Sequence, residues 1–386
     1  MKCKSQHFKG NNIFEAENLP MSISFLLRCL SFGAVLLLQA ACSEKKPKNG
    51  SSEADLLSSR AKFSIETDRS TVAAGDQMTF AVSLLDSALK FDSLQSRING
   101  NRLGMTQKSD AQFKWSDSLA QMGENTFQII AFLNGKESES MAFSFGVKSP
   151  QAPVAYSFEV VKSYPHNPQS FTQGLEWAEG RLYEGTGLNG KSALIEVDPG
   201  TGNAIRKISL SADYFGEGIT HLGDKIYQIT WQNRVGFVYN RKDFKQIQTF
   251  SYPTDGWGLS HWENNLIMTD GSQKAYILNS KDFTRLKQVE VWDHRGPVDN
   301  LNELETVGTS IWANRYQTDT LVEFDPKTGR VLGYADLSGL LKESEKTGNE
   351  DVLNGIAYNP KDKLFYVTGK NWPKLFAIKL IPKRNV

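Results

Sequence analysis

The chain has 386 residues with 44 basic and 43 acidic side chains, a formal net charge of +1. That length holds two domains with tails, and the balanced charge argues against a nucleic-acid or other polyanionic partner. Cys3, Cys29 and Cys42 are the only cysteines, so everything after residue 42 lacks a disulfide, a thiol nucleophile or a Cys-metal site. Five histidines form no HxH or HExxH pair, so neither a metal nor another cofactor is expected.

The first predicted element is a leader over residues 1–42. From Met21 the chain runs Ser-Ile-Ser-Phe-Leu-Leu to Arg28, an apolar run follows from Cys29 to Leu38, and Gln39-Ala40-Ala41-Cys42 closes it. One basic residue, an apolar run too short to span a membrane, and small residues at the end make a signal peptide. Residues 1–20 are more polar, which leaves Met21 as an alternative start. Cys42 after Ala-Ala resembles a bacterial lipobox, although Gln39 stands where an aliphatic residue is usual. The expectation is an exported cell-envelope lipoprotein, periplasmic or outer-membrane anchored, that meets the membrane only through a lipid on Cys42. Residues 43–60, rich in Ser and Lys, read as a disordered tether.

Residues 61–149 show short alternating runs: Ala61–Thr67, Gln77–Leu85, Ser96–Leu103, Asn125–Leu133 and Ser140–Val147. Turn residues recur between them, which predicts a small immunoglobulin-like β-sandwich without a cysteine pair. Residues 150–154 are a Pro-containing linker. Over 155–386 one β pattern recurs, anchored at Tyr183, Tyr227, Ile267, Trp312 and Tyr366, with intervals of about 40 to 54 residues. Turns Asp198–Gly202, Asn240–Asp243, Asn279–Asp282 and Asp325–Gly329 sit in register in four of the repeats and read as type I turns closed by a left-handed residue. The predicted fold is all-β, a five-bladed β-propeller after the sandwich. The longest interval is expected to hold a polar helical insertion over Asp336–Asn349, and Ala155–Val161 to close the ring against the last blade. A closed ring needs no partner to cover its edges, so a monomer is expected.

Four polar positions stand at repeat rims among Gly and aromatics: Gln173, Glu217, Asn302 and Lys370. Glu217, between Gly216 and Gly218 and after Phe215, has the setting of a carboxyl whose pKa is raised by an apolar wall. Taken singly, Gly-Glu-Gly is also a tight turn, Gln173 and Asn302 are also turn amides, and Lys370 is also a surface lysine. Trp177, Trp262, Trp292 and Trp372 read as packing, Tyr183, Tyr227 and Tyr366 as core, and Asp255 and Asp270 as turn caps.

The runs PHNPQSFTQGLEW, LYEGTGLNGKSAL, FGEGIT, DGWGLS, LNELE, WAN, LNGIAY and VTGKNWPKLF follow in this order. Together they resemble the plant-type glutaminyl-peptide cyclotransferases, a five-bladed propeller family also found in bacteria, over nearly all of Val160–Leu380. The resemblance implies an enzyme that cyclises an N-terminal Gln of peptides or proteins, more slowly Glu, to pyroglutamate and releases ammonia. It implies a catalytic set at Glu217, Gln173, Asn302 and Lys370, with substrate-binding aromatics at Phe171, Phe215, Trp231 and Trp257. Where the family commonly has a second Trp after Trp-Ala-Asn, this chain has Arg315-Tyr316. Tyr316 keeps an aromatic wall and adds a hydroxyl, which bears on substrate preference.

These residue types suit that reaction. One carboxylate, assigned to Glu217, can take the amine proton and hand it to the departing ammonia. Lys370, Asn302 and Gln173 supply donors for the oxyanion. An inactive propeller that only binds a surface peptide or glycan would have lost one of these positions, and all four are present. A calcium-dependent lactonase would show a Glu-Asn-Asn-Asp cage, and none is evident in the sequence.

Overall fold

The computed structural model describes residues 62–115 and 119–383, so the predicted leader, its Cys42 and the tether lie outside the described residues. The fold is all-β, and the one helix among the described residues is a single 3-10 turn at Glu343–Glu345.

The first eight strands form a three-stranded and a five-stranded sheet. Phe63, Phe80 and Phe113 of the smaller sheet share a core with Leu94, Ile98, Phe127, Ile129 and Phe145 of the larger. Phe80 stacks on Phe127 with centroids 4.1 Å apart, the tightest ring pair of this core. The run expected over Ser96–Leu103 is instead the hairpin Ser93–Ile98 and Asn101–Thr106. Asn99 and Gly100, both at positive φ, turn the chain between them. Strands Thr71–Ala73 and Asp110–Lys114 also form, each too short to show alternation in the sequence.

Beyond residue 171 the chain builds four-stranded antiparallel sheets in strict sequence order. Their third and fourth strands are joined by the recurring turns, in which Gly202, Phe244, Phe283 and Gly329 occupy the left-handed position. In each, that residue's N–H returns to the carbonyl of the first turn residue at 2.8–2.9 Å. The first strands are Thr172–Ala178, Gly216–Leu222, Leu259–Trp262, Leu301–Val307 and Leu353–Asn359. Each lies against the next and the last against the first, a closed cycle.

The strand expected to close the ring against the last blade does so, is longer than expected, and makes a second pairing as well. Val154–Pro165 pairs antiparallel with Lys374–Pro382 and also parallel with Val331–Asp336. It therefore welds the last two sheets into one of eight strands, and both outer edges are consumed. The insertion after Asp336 also departs from expectation, holding only the 3-10 turn Glu343–Glu345 and not being wholly polar. Leu337, Leu340 and Leu341 have helical spacing and are buried in the core of those two sheets. Gly339 at φ 78° between them interrupts any helix.

Candidate active site

At one end of the cycle the backbone itself aims the polar side chains. Pairing of four first strands with their neighbours slips between Thr172 and Gly174, Gly216 and Ile219, Leu301 and Leu304, and Leu353 and Ile356. Each slip is a β-bulge, which turns a side chain out of the alternating pattern. The bulges carry Gln173, Glu217, Asn302 and Asn354, all buried. The remaining first strand has no polar side chain there but Gly258, and a Cβ at Gly258 would stand 1.9 Å from the Asn302 carbonyl oxygen. Glycine is therefore what lets the third and fourth sheets close up around Asn302. Lys370, also buried, enters just after the strand Leu364–Gly369, with its N–H on the Val352 carbonyl at 3.0 Å.

Of the four residues singled out in the sequence, Glu217, Gln173 and Lys370 come together, and Asn302 occupies the matching bulge of another first strand at the same end; the five aromatics also converge. Phe171 meets Phe215 edge-on at 6.1 Å, Phe215 meets Trp231 at 5.7 Å, and Trp257 meets Tyr316 at 5.4 Å. The Lys370 ammonium joins the two groups, 4.8 Å from the Phe171 ring centroid and 5.0 Å from that of Tyr316. Two ring faces hold a cation in place without neutralising it. All five rings are half-buried, so the wall they form has an open side.

Burial pushes the Glu217 carboxyl well above the usual carboxylate range, against the Lys370 charge and a hydrogen bond from Gln173. Burial likewise pulls Lys370 down, against the charges of Glu217 and Asp351. Each shift brings the group towards neutral pH, where a side chain exchanges protons most readily. The oxygens Asn302 Oδ1, Asn354 Oδ1 and Gln228 Oε1, and the Asn314 Nδ2 nitrogen, are buried here without a protein partner. Unpaired buried polar atoms are costly, and a polar ligand or ordered water offsets that cost.

A second set of residues, which the sequence reading left out, fixes the loops that carry these groups. The buried Glu184 carboxylate accepts from Thr172 Oγ1 at 2.7 Å and Ser170 Oγ at 3.2 Å, and faces His166 Nε2 at 3.2 Å. His166 Nδ1 donates to the Trp372 carbonyl at 2.7 Å. Burial alone would lower the His166 pKa, but Glu184 and the carbonyl outweigh it and raise it. Both ring nitrogens face acceptors, as an imidazolium requires. Phe171, Gln173 and Lys370 therefore hang on one buried ion pair. His166 and Ser170 lie inside the long PHNPQSFTQGLEW run, the one signal in the sequence that could have found them.

Glu303 and Glu305, in the strand Leu301–Val307, act as braces. Glu303 accepts the backbone N–H of Leu175 at 3.0 Å and of Ile356 at 2.8 Å, tying three sheets together. Glu305 accepts that of Tyr358 at 2.7 Å.

No metal site was expected from the histidine spacing, yet Glu176, His221 and His261 bring three ligand atoms within 4.8 Å of one another. They come from three different first strands, a proximity that linear spacing cannot show. This group, which could hold a metal ion, lies at the opposite end of those strands from Glu217.

The chain matches the family described as glutamine cyclotransferase over residues 129–380, beginning within the strand Gly123–Leu133. The glutaminyl-peptide cyclotransferase of Arabidopsis thaliana is 38% identical over 226 residues, 58% of this chain and 71% of that one. The solved structure of the Myxococcus xanthus glutaminyl cyclase is 31% identical with a TM-score of 0.57, covering 60% of this chain and 100% of that one. The chain belongs to the glutamine cyclotransferase family and is a glutaminyl-peptide cyclotransferase.

Proposed function

We propose that Glu217 is the proton shuttle of this enzyme and that Lys370, Asn302 and Gln173 stabilise the oxyanion. The observation that carries this is the buried Glu217 carboxyl, raised in pKa and facing one lysine and one amide across the aromatic wall. The substrate is a peptide or protein with an N-terminal Gln, and more slowly Glu. Its α-amine attacks the side-chain carboxamide carbon, and Glu217 takes the amine proton as the new C–N bond forms. The oxyanion gains charge beside Lys370 and the amide N–H groups. Collapse breaks the bond to the old amide nitrogen, which leaves as ammonia with the proton returned by Glu217. One hydrogen of Gln173 Nε2 serves Glu217, and the second remains for the oxyanion. Trp231, Trp257 and Tyr316 fold the flexible Gln side chain back onto its own amine, so that proximity supplies much of the rate. Every step uses side chains of this chain alone, without a metal or another cofactor.

The closed cycle of first strands supports a five-bladed propeller over 155–386, and the two sheets with one core support an immunoglobulin-like sandwich over 61–149. With residues 1–42 as a leader, the enzyme is exported and held at the cell envelope through Cys42, and acts as a monomer. Ammonia release from a short Gln-initiated peptide, by wild type and by Glu217→Gln, tests the mechanism. Loss of about 10²–10⁴-fold in kcat is expected for the variant. A variant that turns over normally would remove Glu217 from the reaction.

A further inference from the structure

We propose that Asn354 is a positioning residue for the cyclisation, fixing which end of the Gln173 carboxamide faces Glu217. The proposal deepens the mechanism above and rests on it. Asn354 is fully enclosed and sits in the bulge of the fifth first strand, directly across the seam from Gln173. Its Nδ2 donates to the Thr172 carbonyl at 3.0 Å and to Gln173 Oε1 at 3.1 Å, which commits both of its hydrogens. Gln173 Oε1 is thereby held as an acceptor, and Nε2 is the end left to donate to Glu217.

A carboxamide has two orientations of nearly equal shape, so packing alone does not choose between them. Turned over, Gln173 would set its oxygen lone pairs against the Glu217 carboxylate. Asn354 makes that orientation costly because two donors, its own Nδ2 and the Gln173 Nε2, would then face each other. The rung is clamped as well. The N–H of Gly355 donates to Asn314 Oδ1 at 2.9 Å, at φ 118°, and a Cβ there would stand 3.1 Å from the Thr172 methyl. The neighbouring Thr172 hydroxyl is held by Glu184. Asn354 therefore has no freedom to follow Gln173 if it turns.

The consequence falls on proton transfer. Gln173 donation favours the ionised carboxyl, which burial disfavours. The charged group facing Glu217 is Lys370, with the Tyr252 phenol also in its field, and the variants below leave both unchanged.

The test is kcat/KM against pH for Asn354→Ala, Asn354→Ser, Gln173→Ala and Gln173→Ala/Asn354→Ala on one Gln-initiated peptide, with thermal melts alongside. In Asn354→Ala the acidic limb is expected to move up by about one pH unit, the scale of one lost hydrogen bond to a charged group. Asn354→Ser retains one donor and should move it less. The double variant should be no worse than Gln173→Ala, because Asn354 acts through Gln173. Additive losses in the double variant, or a lower Tm with an unmoved limb in both Asn354 variants, overturn the proposal. An unmoved limb in Gln173→Ala overturns the parent mechanism and this role with it. A shifted limb there beside unmoved ones in the Asn354 variants overturns the role of Asn354 alone.

Discussion

The first strands carry buried carboxyls in two settings and use them oppositely. Glu217 meets a lysine and a side-chain amide, among aromatic rings with an open side. Glu303, in the same bulge as Asn302, and Glu305 two residues on meet backbone N–H groups of neighbouring strands. All three carboxyls are pushed well above their usual pKa by burial. A raised pKa thus does not mark a catalyst by itself. The partner does: a backbone amide spends the carboxylate on architecture, whereas a movable amide and a cation leave it free to trade protons.

Paired substitutions should break this comparison most sharply. Glu217→Gln should cost at least about 10²-fold in kcat while the fold survives. Glu303→Gln should leave the chemistry nearly intact and lower the stability by about 1–3 kcal/mol, because an amide cannot accept both N–H groups equally. Ammonia release and thermal melts on the two variants read both effects, and an equal loss of kcat in both would erase the distinction. Lys370→Met comes next, with an expected loss of about 10²-fold as the oxyanion loses its cation. Steady-state kinetics with unchanged circular dichroism would check it.

Titration sharpens the same contrast. Activity needs Glu217 ionised and Lys370 charged, and burial raises the one and lowers the other. The acidic limb of the rate profile should therefore lie above the ordinary carboxylate range, and the alkaline limb below the ordinary lysine range. Stability follows with a definite sign. A carboxyl with a folded pKa above its unfolded value stabilises the fold only while protonated, and that contribution is lost as pH rises through the folded pKa. Glu217→Gln cannot ionise, so its Tm should gain on the wild type as pH climbs through that range. A Tm difference that shrinks with rising pH would reverse the assignment.

Much of this was legible in the sequence, for a physical reason. The repeat is read through strands whose burial is continuous, so Tyr183, Tyr227 and Tyr366 announced themselves and are indeed core. Gln173, Glu217 and Asn302 were legible because a bulge at a strand start puts a polar residue beside glycine or another polar residue. Asn354, in Leu-Asn-Gly, carries the same mark and was passed over. What could not be read is proximity between strands about 45 residues apart. The Glu176–His221–His261 group depends on it, whereas the His166–Glu184 pair, 18 residues apart, depends on how the loop before Thr172 folds back onto the next strand. The Asp336–Asn349 segment fails differently: its overall polarity hides Leu337, Leu340 and Leu341, which are core, and Gly339 at φ 78° interrupts a helix.

The loop-fixing pair should give an intermediate effect. Glu184→Gln leaves His166 without its counter-charge and loosens Ser170 and Thr172 together. Breaking a buried pair typically costs about 3–5 kcal/mol. A clear fall in Tm with a several-fold fall in kcat/KM is expected, and an unchanged Tm would show that the pair holds nothing.

The smallest effect should come from the hydroxyl of Tyr316. Its ring does two things here: it faces the Lys370 ammonium at 5.0 Å and takes the edge of Trp257 at 5.4 Å. Neither contact uses the phenolic oxygen. Tyr316→Phe should therefore change kcat/KM on a Gln-initiated peptide by less than about threefold, within the range of a substitution that breaks no contact. Tyr316→Ala removes one of the two rings over Lys370, worth about 1 kcal/mol, and should cost several-fold. Comparing the two on peptides that differ at the second residue separates wall from hydroxyl. A loss for Phe as large as that for Ala would mean that the oxygen, and not the ring, meets the substrate.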